Sequence, residues 1–416
     1  MLTPKKVMAL CFLTISFAVI ACGHKGNKTT AEDQTNTMKV KNYEKGTFGY
    51  DLDFLQKKDT ALVVLANGES QIIISPKYQA KVFTSTAQGK EGTSFGWINY
   101  SAFEGAQDGH MNAYGGENRF WLGPEGSKFS LFFKPKTEMT FENWKTPSAV
   151  DTEAWKVSQK ANNKVSMEKA MSLVNYANSQ LDILVKRNIH ILKKSEIENL
   201  LNIELDSTDS VGFTTENSIT NTGSNKWTAK TGAPCIWMLD MFTPSPKTVI
   251  VVPFDKDATG KIATTDYFGE ISDDRISYSN GNILFKADGI SRGKLGVPPQ
   301  RAENRNGSYD PLNNILTVTL YDLDKNATYL NQEWSPHKDP LVGDAVNAYN
   351  DGPLEDGSQM GPFYEIESVS PAAFLSPNES LSHTHSVFHF TGNENRLNDI
   401  SKKVLGLSLK EIESAF

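Results

Sequence analysis

The sequence predicts an all-β protein, built as a large sandwich of antiparallel sheets with a few short helices. After Tyr43 the apolar pattern has mostly a period of two residues, and Gly, Asn and Pro break it often. Helical periodicity occurs in few places, and no internal repeat with a period of about twenty to fifty residues is visible. At 416 residues and 38% hydrophobic, the chain is long enough for a substantial core, which we expect to lie in one domain.

Short strands are predicted where apolar and polar residues alternate between turn residues. The predicted strands are residues 61–65, 71–75, 128–133, 181–192, 248–253, 282–287, 315–321 and 363–367. In the clearest one, 181–192, Leu181 and Ile183 lie on one face and His190 on the opposite face. We therefore expect His190 to be a solvent-facing strand residue.

Helical signals are confined to three short stretches near turns. They are a capping box of Ser195 and Glu198 that opens a helix to residue 201, an amphipathic pattern over 393–405 that Gly406 ends, and a capping box of Ser408 and Glu411. The Gly-, Pro- and Asn-rich stretch 293–314 is predicted to connect strands. It shows no sign of a domain boundary.

The first 42 residues predict export and attachment to a membrane. A basic start precedes an apolar run over residues 7–21, which is short for a membrane span and suits a signal peptide. Val19-Ile20-Ala21-Cys22 resembles the lipobox of bacterial lipoproteins, which implies removal of residues 1–21 and lipidation of Cys22. The alternatives are an ordinary signal peptide, or a tail with an incidental cysteine.

Residues 22–42 are polar and cannot bury enough surface to fold alone, so we interpret them as a tether with a reach on the order of 25 Å. The domain 43–416 is then expected at the bacterial cell envelope, at the outer membrane or on the periplasmic side of a membrane. The formal net charge is −7 and no basic cluster is visible, which disfavours nucleic acid as a partner.

Cysteine content predicts a fold without covalent cross-links. Once residues 1–21 are removed and Cys22 carries lipid, Cys235 is the cysteine that remains. Neither a disulfide nor a cysteine-based zinc site is expected, and we expect no cofactor. Cys235 lies in an apolar strand and is interpreted as a buried small hydrophobic residue.

The predicted strand 363–367 carries the first candidate for chemistry. Alternation places Glu365 and Glu367 on the same face, roughly 6.5–7 Å apart along the strand. Two adjacent carboxylates repel each other, so they persist in water or beside an arginine, a metal or a shared proton. The pair therefore indicates either a solvated strand face or a ligand site.

A second candidate region, residues 109–126, mixes aromatic, amide, carboxylate and guanidinium side chains on a glycine-rich backbone. Aromatic rings stack on the C–H faces of sugars while polar side chains bind paired hydroxyls, so this composition is typical of carbohydrate sites. His110 and Trp121 are its candidate ligand-binding residues. A turn flanked by core aromatic residues explains the composition equally well.

The loop-rich stretch 334–390 holds further polar candidates, namely Asp344, Asn347, Asn350 and Asp351. Hydrophobic burial cannot hold such a loop, so it is either a solvated turn system or a ligand site. Its oxygens also suit calcium, although the spacing is not that of an EF-hand.

Two histidines at i and i+2, His383 and His385, share one strand face later in the same stretch. Together with Glu365 or Glu367, they could hold a divalent metal. The alternative is that they are ordinary strand residues with hydrogen bonds.

Five segments carry a resemblance to a known family. They are NAYGGENRFWLGPEGSKFSLFF, SITNTGSNKWTAKTGAPCIWMLDMFTPSP, VGDAVNAYNDGP, GPFYEIESVSPAAFLSPNESLSHTHSVFHF and ISKKVLG. They resemble an uncharacterised family of secreted and lipid-anchored bacterial proteins of the galactose-mutarotase-like superfamily. The resemblance covers most of the chain after the tether and implies a β-supersandwich of large antiparallel sheets.

The wider superfamily includes aldose mutarotases, and two of their motifs are similar to segments of this chain. The order Ile366-Glu367-Ser368-Val369-Ser370-Pro371 is similar to their catalytic glutamate strand, which implies that Glu367 is a general base. Gly116-Glu117-Asn118-Arg119 resembles their Asn-Arg motif, which implies that Asn118 and Arg119 bind sugar hydroxyls.

One departure from the mutarotase pattern is the general-acid histidine, which is missing from residues 235–240. Opening a sugar ring needs an acid and a base together, so an ordinary mutarotase activity is not expected. The acid partner of Glu367 is then Glu365 or a histidine, with His110, His337, His383 and His385 as candidates.

Three functions remain open from the sequence. The first is a sugar-active enzyme of the cell envelope, acting as an isomerase or epimerase, a lyase or a hydrolase. The second is a non-catalytic carbohydrate-binding or accessory lipoprotein. The third is a structural envelope protein whose Gly-, Asn- and Asp-rich loops are only turns.

Overall fold

The computed structural model describes residues 42–416 of the chain. The expected signal peptide, Cys22 and the tether up to residue 41 lie outside the described residues. From residue 42 onward, no helix combines the length and the apolar character needed to cross a membrane.

Eighteen strands form three sheets in this part of the chain. The strands are β1 Val63–Asn67, β2 Ser70–Ser75, β3 Lys81–Thr86, β4 Arg119–Gly123, β5 Lys156–Lys160, β6 Lys164–Val174, β7 Gln180–Ile191, β8 Thr208–Asn221, β9 Cys235–Phe242, β10 Val249–Pro253, β11 Ile276–Ser279, β12 Asn282–Lys286, β13 Gly293–Val297, β14 Arg305–Asp310, β15 Ile315–Tyr321, β16 Val346–Asn350, β17 Tyr364–Val369 and β18 Ser380–Gly392.

A ten-stranded sheet has the order β11-β12-β10-β14-β15-β18-β8-β7-β6-β5, and a five-stranded sheet has the order β13-β16-β17-β9-β4. A third sheet contains β1, β2 and β3. Neighbouring strands within these sheets are antiparallel. The prediction of an all-β supersandwich with large antiparallel sheets and few short helices is confirmed.

The five-stranded sheet packs with one face against the ten-stranded sheet. Strand β17 shows how, because its even-numbered side chains enter the layer between the sheets. Ile366 belongs to the main hydrophobic cluster, and the hydroxyl of Tyr364 lies 2.8 Å from that of Ser308 on β14. Since strand side chains alternate, Glu365 and Glu367 point away from this core, towards a cleft on the opposite face.

Four α-helices cover the edges and ends of the sheets: α1 Phe48–Lys58, α2 Lys194–Leu201, α3 Glu394–Val404 and α4 Leu409–Glu413. The predicted starts of the last two are confirmed, since Asn393 caps α3 and Ser408 forms a capping box with Glu411 in α4. The sequence pattern missed α1, which Thr47 caps by accepting a hydrogen bond from the Tyr50 N–H.

The predicted start of α2 is wrong by two residues, because the N-cap is Lys193 and a different glutamate closes the capping box. Glu196 accepts a hydrogen bond from the Lys193 N–H at 2.6 Å. Glu198 turns to the other end of the helix, where it accepts from the Leu205 N–H at 3.1 Å. Two glutamates within one turn therefore compete for the cap, and the sequence spacing selected the wrong one.

Seven of the eight predicted strands occur within a few residues of their predicted bounds. The strand predicted at 128–133 is wrong, because local turn hydrogen bonds take its backbone groups. The N–H of Ser130 donates to Ser127 O at 3.2 Å, and that of Leu131 donates to Pro124 O at 3.0 Å. The stretch 293–314 is also not a plain connection, since it contains β13 and β14.

Candidate functional site

The candidate site is the cleft on the outer face of the five-stranded sheet. Strand register brings its groups together from distant parts of the chain. On β9, Leu239 pairs with Arg119 of β4 on one side and with Glu367 of β17 on the other. One step along, Glu365 lies opposite Tyr349 of β16. Arg119, Glu365 and Glu367 thus converge on one face, as the sequence predicted for the two glutamates.

Two buried ion pairs form the floor of the cleft. A guanidinium nitrogen of Arg119 donates to the carboxylate of Glu365, and both side chains are almost fully buried. The Nζ of Lys294 lies 3.0 Å from Oε2 of Glu367, which also accepts from the indole N–H of Trp237 at 2.8 Å. The second carboxylate oxygen of Glu367, Oε1, has no hydrogen-bond partner among the described residues.

Burial raises the pKa of two cleft acids, while nearby carboxyl groups raise the pKa of the cleft lysine. It raises the pKa of Glu365 to about 8, with the charge of Glu367 adding to the effect and Arg119 opposing it. Burial also raises the pKa of Glu125, against the attraction of Lys294. For Lys294, burial disfavours the charged form, but Glu367 first and then Glu125 and Glu365 outweigh it, so the pKa of its ammonium is raised.

Aromatic side chains form the walls of this cavity of about 100 Å³. The rings lining it are Trp121, Phe141, Trp144, Trp237, Phe268, Trp334, Tyr349 and Phe363. Three of them form a row, since Phe141 stacks on Trp144 at 6.1 Å and Trp144 stacks on Trp334 at 6.0 Å between ring centroids. Phe141 is 60% exposed, Trp144 is buried and Trp334 is half-buried, so the row reaches the surface at Phe141.

Further buried polar groups of the cleft-lining residues have no hydrogen-bond partner in the described part of the chain, and two of them concern us here. They are Nε of Arg119 and the indole nitrogen of Trp144. Buried polar groups are normally hydrogen-bonded, and exceptions concentrate at functional sites. Arg119 and Trp144 line the cavity, whereas Glu367, whose Oε1 also has no partner, is fully buried and lies outside the lining.

A separate polar network lies between the sheets. Two residues that were predicted to lie in the cleft, Asn118 and His383, belong to this network. Asn118 donates to Oδ1 of Asp240 at 2.6 Å, and Oδ2 of Asp240 lies 2.6 Å from Nε2 of His385. The hydroxyl of Ser368 lies 2.8 Å from Nδ1 of His385 and 2.9 Å from Nε2 of His383. All five side chains are buried, with at most 1% of their surface exposed.

This network has the order of a Ser-His-Asp relay, but it lies inside the core and borders no described cavity. Burial lowers the pKa of His383 to about 3, with His385 adding to the effect, so His383 is neutral. The expectations that Asn118 contacts sugar and that His383 acts in catalysis are therefore corrected. Both lie on the core side of the sheet, the opposite side from Glu365 and Glu367.

The same geometry bears on the metal expected from His383 and His385 with Glu365 or Glu367. The histidines of β18 contact the core side of the five-stranded sheet, at Ser368, whereas the glutamates point away from its other side. The two pairs therefore cannot share one ion. Within residues 42–416, no group of three or more His, Cys, Asp or Glu side chains is arranged to hold a metal.

The predicted loop residues around β16 also do not converge on one ligand. Asp344 precedes the strand and accepts from the Tyr267 hydroxyl at 2.7 Å. Asp351 follows the strand and accepts from the Tyr349 hydroxyl at 2.7 Å. Asn350 bonds to backbone groups, at 2.9 Å from Gly289 N and 2.8 Å from Ser291 O. These side chains hold loops in place, and their distribution along the strand does not form a calcium cage.

Other predicted residues lie at or near the cleft. Trp121 lines it, and its ring lies 5.0 Å from the guanidinium carbon of Arg119. Asn347 pairs with Glu367 across the strands and donates to Leu295 O at 3.3 Å. His110 lies outside the lining but stacks on Phe141 at 4.7 Å, so it extends the aromatic row at the surface.

Several cleft residues were not predicted, namely Glu125, Trp144, Trp237, Phe268, Arg292, Lys294 and Trp334. Lys294 was hidden because the sequence pattern assigned its segment to a connection. Trp237 lies in β9, whose residues are all buried, so alternation gives no signal of which face borders the cleft. The signal available for Glu125 was its place in the aromatic cluster 109–126.

Comparison with known proteins gives a family and a set of distant structural likenesses. The model of a family of unknown function, DUF6786, matches residues 46–416. No curated protein sequence matches the chain.

Two solved structures illustrate the structural likeness. A candidate aldose 1-epimerase from Escherichia coli K12 is 12% identical, with a TM-score of 0.48 over 79% of this chain and 98% of that one. A galactose mutarotase-like protein from Lactobacillus casei ATCC 334 is 9% identical, with a TM-score of 0.47 over 79% of this chain and 100% of that one.

Proposed function

The chain belongs to DUF6786, a family of unknown function, and from the cleft described above we propose that it binds a carbohydrate and transfers a proton on the bound sugar. The observation that carries this proposal is a buried acid, Glu365, placed under aromatic walls and beside Arg119. Aromatic rings suit the C–H faces of a sugar, and a guanidinium suits its hydroxyls.

Glu365 is the proposed proton donor. Burial raises the pKa of Glu365 to about 8, so its carboxyl holds a proton near neutral pH. A carboxylic acid with a pKa near the working pH is suited to general acid catalysis. Arg119 contacts the same carboxyl, and its guanidinium would stabilise the negative charge that develops on the carboxyl as the proton leaves.

Glu367 receives a different role from the one that resemblance implied. Its Oε2 is bound by Lys294 and by the Trp237 indole, and its side chain is fully buried. We assign it to positioning Lys294 and Trp237 in the cleft. Its unpartnered Oε1 is the group that would accept a proton or a hydroxyl hydrogen bond if ligand reaches it.

A non-catalytic carbohydrate-binding role is the second candidate, and one observation favours it. No histidine lines the cleft in the described part of the chain, and the second glutamate is already engaged. A sugar site without a free base opposite its acid can bind ligand without turning it over. The two candidates differ in turnover and agree on ligand binding.

The test is a glycan-binding screen of the purified domain, followed by NMR analysis of products from each ligand that binds. If Glu365 is the acid, Glu365→Gln should lower turnover by about 100-fold or more while affinity changes less than about tenfold. The matched control is Glu216→Gln, because the side chain of Glu216 is exposed on the ten-stranded sheet, and this variant should act as wild type.

Each outcome decides between the candidates. Turnover that survives in Glu365→Gln would remove this residue as the acid. Binding without any product in the wild-type protein would favour the non-catalytic role. If no glycan binds to the folded wild-type domain, the carbohydrate proposal fails.

We also propose that the protein is an envelope lipoprotein anchored through Cys22. The support is the sequence Val19-Ile20-Ala21-Cys22 after an apolar run, followed by a polar stretch that precedes the folded unit Asn42–Phe416. An anchor on a tether would hold the cleft close to glycans of the envelope.

A further inference from the structure

One of the three cations at the cleft has no carboxylate in contact with it. Arg119, Arg292 and Lys294 line the cleft. Arg119 contacts the carboxyl of Glu365, and Lys294 contacts that of Glu367. Within residues 42–416, Arg292 forms no ion pair, so no carboxylate in contact neutralises its charge.

Arg292 is held in place by groups that do not neutralise it. Its guanidinium carbon lies 3.9 Å from the ring centroid of Phe268, which is a stacking distance. Its Nε donates to the hydroxyl of Tyr349 at 3.3 Å. The two terminal nitrogens make no hydrogen bond to the described residues, which leaves the outer pair of N–H donors available in the cleft.

The nearby acids do not offset this charge. Glu125 and Glu365 also line the cleft, but burial raises the pKa of both carboxyls, which favours their neutral forms. Asp351 is the next acid along, and it is bound to the Tyr349 hydroxyl and to the Gly361 N–H, without contact to Arg292. The cleft therefore has a local positive charge in a protein whose formal net charge is −7.

We propose that the ligand is an acidic saccharide, whose carboxylate, sulfate or phosphate group is bound by the terminal nitrogens of Arg292. This inference rests on the proposed carbohydrate-binding function and names the class of sugar. An arginine with two parallel N–H donors binds a planar or tetrahedral oxyanion in a bidentate manner. Phe268 fixes the plane of the guanidinium, so less side-chain entropy is lost when the anion binds.

The experiment compares ligands that differ only in charge. The probes are glucuronate and its methyl ester, trigalacturonate and its methyl ester, glucose 6-sulfate, glucose 6-phosphate and glucose, with acetate and inorganic sulfate as sugar-free anions. Binding is measured by calorimetry and saturation-transfer NMR at about 50 mM and 300 mM salt. At least one acidic sugar should bind about tenfold or more tightly than its neutral mate, and higher salt should reduce the difference.

Arg292→Met is the diagnostic variant, because the methionine can still pack on Phe268. It should lower the affinity for the acidic sugar to about that for its neutral mate, so that the preference is lost. Arg305→Met removes an arginine of the ten-stranded sheet that pairs with Glu303, and it should keep the preference. Circular dichroism and the melting temperature show whether each variant is folded.

Several results would overturn the inference. If the acid and its ester bind equally, or if Arg292→Met keeps the preference, then Arg292 does not recognise an anionic group of the ligand. The proposed carbohydrate-binding function would be unaffected by that result. If acetate or inorganic sulfate binds as tightly as the acidic sugars, the site binds anions and does not recognise the sugar ring. If neither member of any pair binds, the proposed function and this inference fail together.

Discussion

Replacing Lys294 with methionine tests how much the buried ion pair of Lys294 and Glu367 stabilises the fold. The substitution removes the cation 3.0 Å from Glu367 and keeps an apolar stem over Trp237, whose ring lies 4.7 Å from the ammonium. Glu367 is fully buried and retains one hydrogen bond, from the Trp237 indole. Removing one partner of a buried ion pair typically lowers stability by about 3–5 kcal/mol, because an uncompensated charge stays behind.

The expected change in melting temperature follows from the size of the folded unit, Asn42–Phe416. An unfolding entropy of about 2.1 cal/mol/K per residue gives roughly 0.8 kcal/mol/K for about 375 residues. A loss of about 3–5 kcal/mol therefore corresponds to a fall of about 4–6 °C. The assay is a thermal melt at pH 7 together with urea unfolding, and Lys186→Met on the exposed face of β7 is the control, with an expected change within about 0.5 kcal/mol.

The double variant Lys294→Met with Glu367→Gln separates lost charge compensation from lost packing. Because the glutamine removes the stranded charge, the double variant should recover most of the stability lost in Lys294→Met. Two losses that simply add, or a single-variant loss below about 1 kcal/mol, would refute the reasoning that this pair is a coupled buried unit.

Three further predictions concern the cleft acid, the core network and the anchor. In the folded protein the pKa of Glu365 is raised to about 8 from its ordinary value of 4.5. The protonated carboxyl therefore contributes stability that is fully present below pH 4.5 and is lost as the pH rises towards 8. The melting temperature of Glu365→Gln should fall less than that of the wild type between these pH values. Asp240→Asn should lower stability by about 1.5–3 kcal/mol in urea unfolding, because Asn118 and His385 lose a charged acceptor, and an unchanged midpoint would contradict the network. Cys22→Ser should release the protein from membranes, and intact mass of the wild type should show loss of residues 1–21 and added acyl mass.

The inter-sheet network and the cleft meet on the same strand, β17, with opposite consequences for chemistry. Ser368 joins two buried histidines in the core, while its neighbour Glu367 faces the cleft. The relay-like order of Ser368, His385 and Asp240 therefore stabilises the packing of two sheets. The chemistry that we propose would take place on the other face, where Glu365 borders the cavity.

Local periodicity was sufficient for part of this protein. It gave the all-β class, most strand positions and the two C-terminal helices with their caps. It also placed Glu365 and Glu367 on one face, because side chains of a strand alternate whatever lies around them. The same rule shows why Asn118 and Arg119 separate, since neighbours in an extended segment point to opposite faces.

The tertiary structure alone decided which face of each strand borders the cleft and which groups meet there. Arg119 reaches Glu365 across 246 positions of sequence, through the pairing of β4 with β9 and of β9 with β17. Lys294 joins Glu367 from β13, at the far edge of the same sheet. Strand pairing between distant segments leaves no local pattern, and buried strands such as β9 are apolar on both faces. For that reason the sequence could name the acidic pair, while its cations, the aromatic walls and the unpaired Arg292 became visible only in the folded chain.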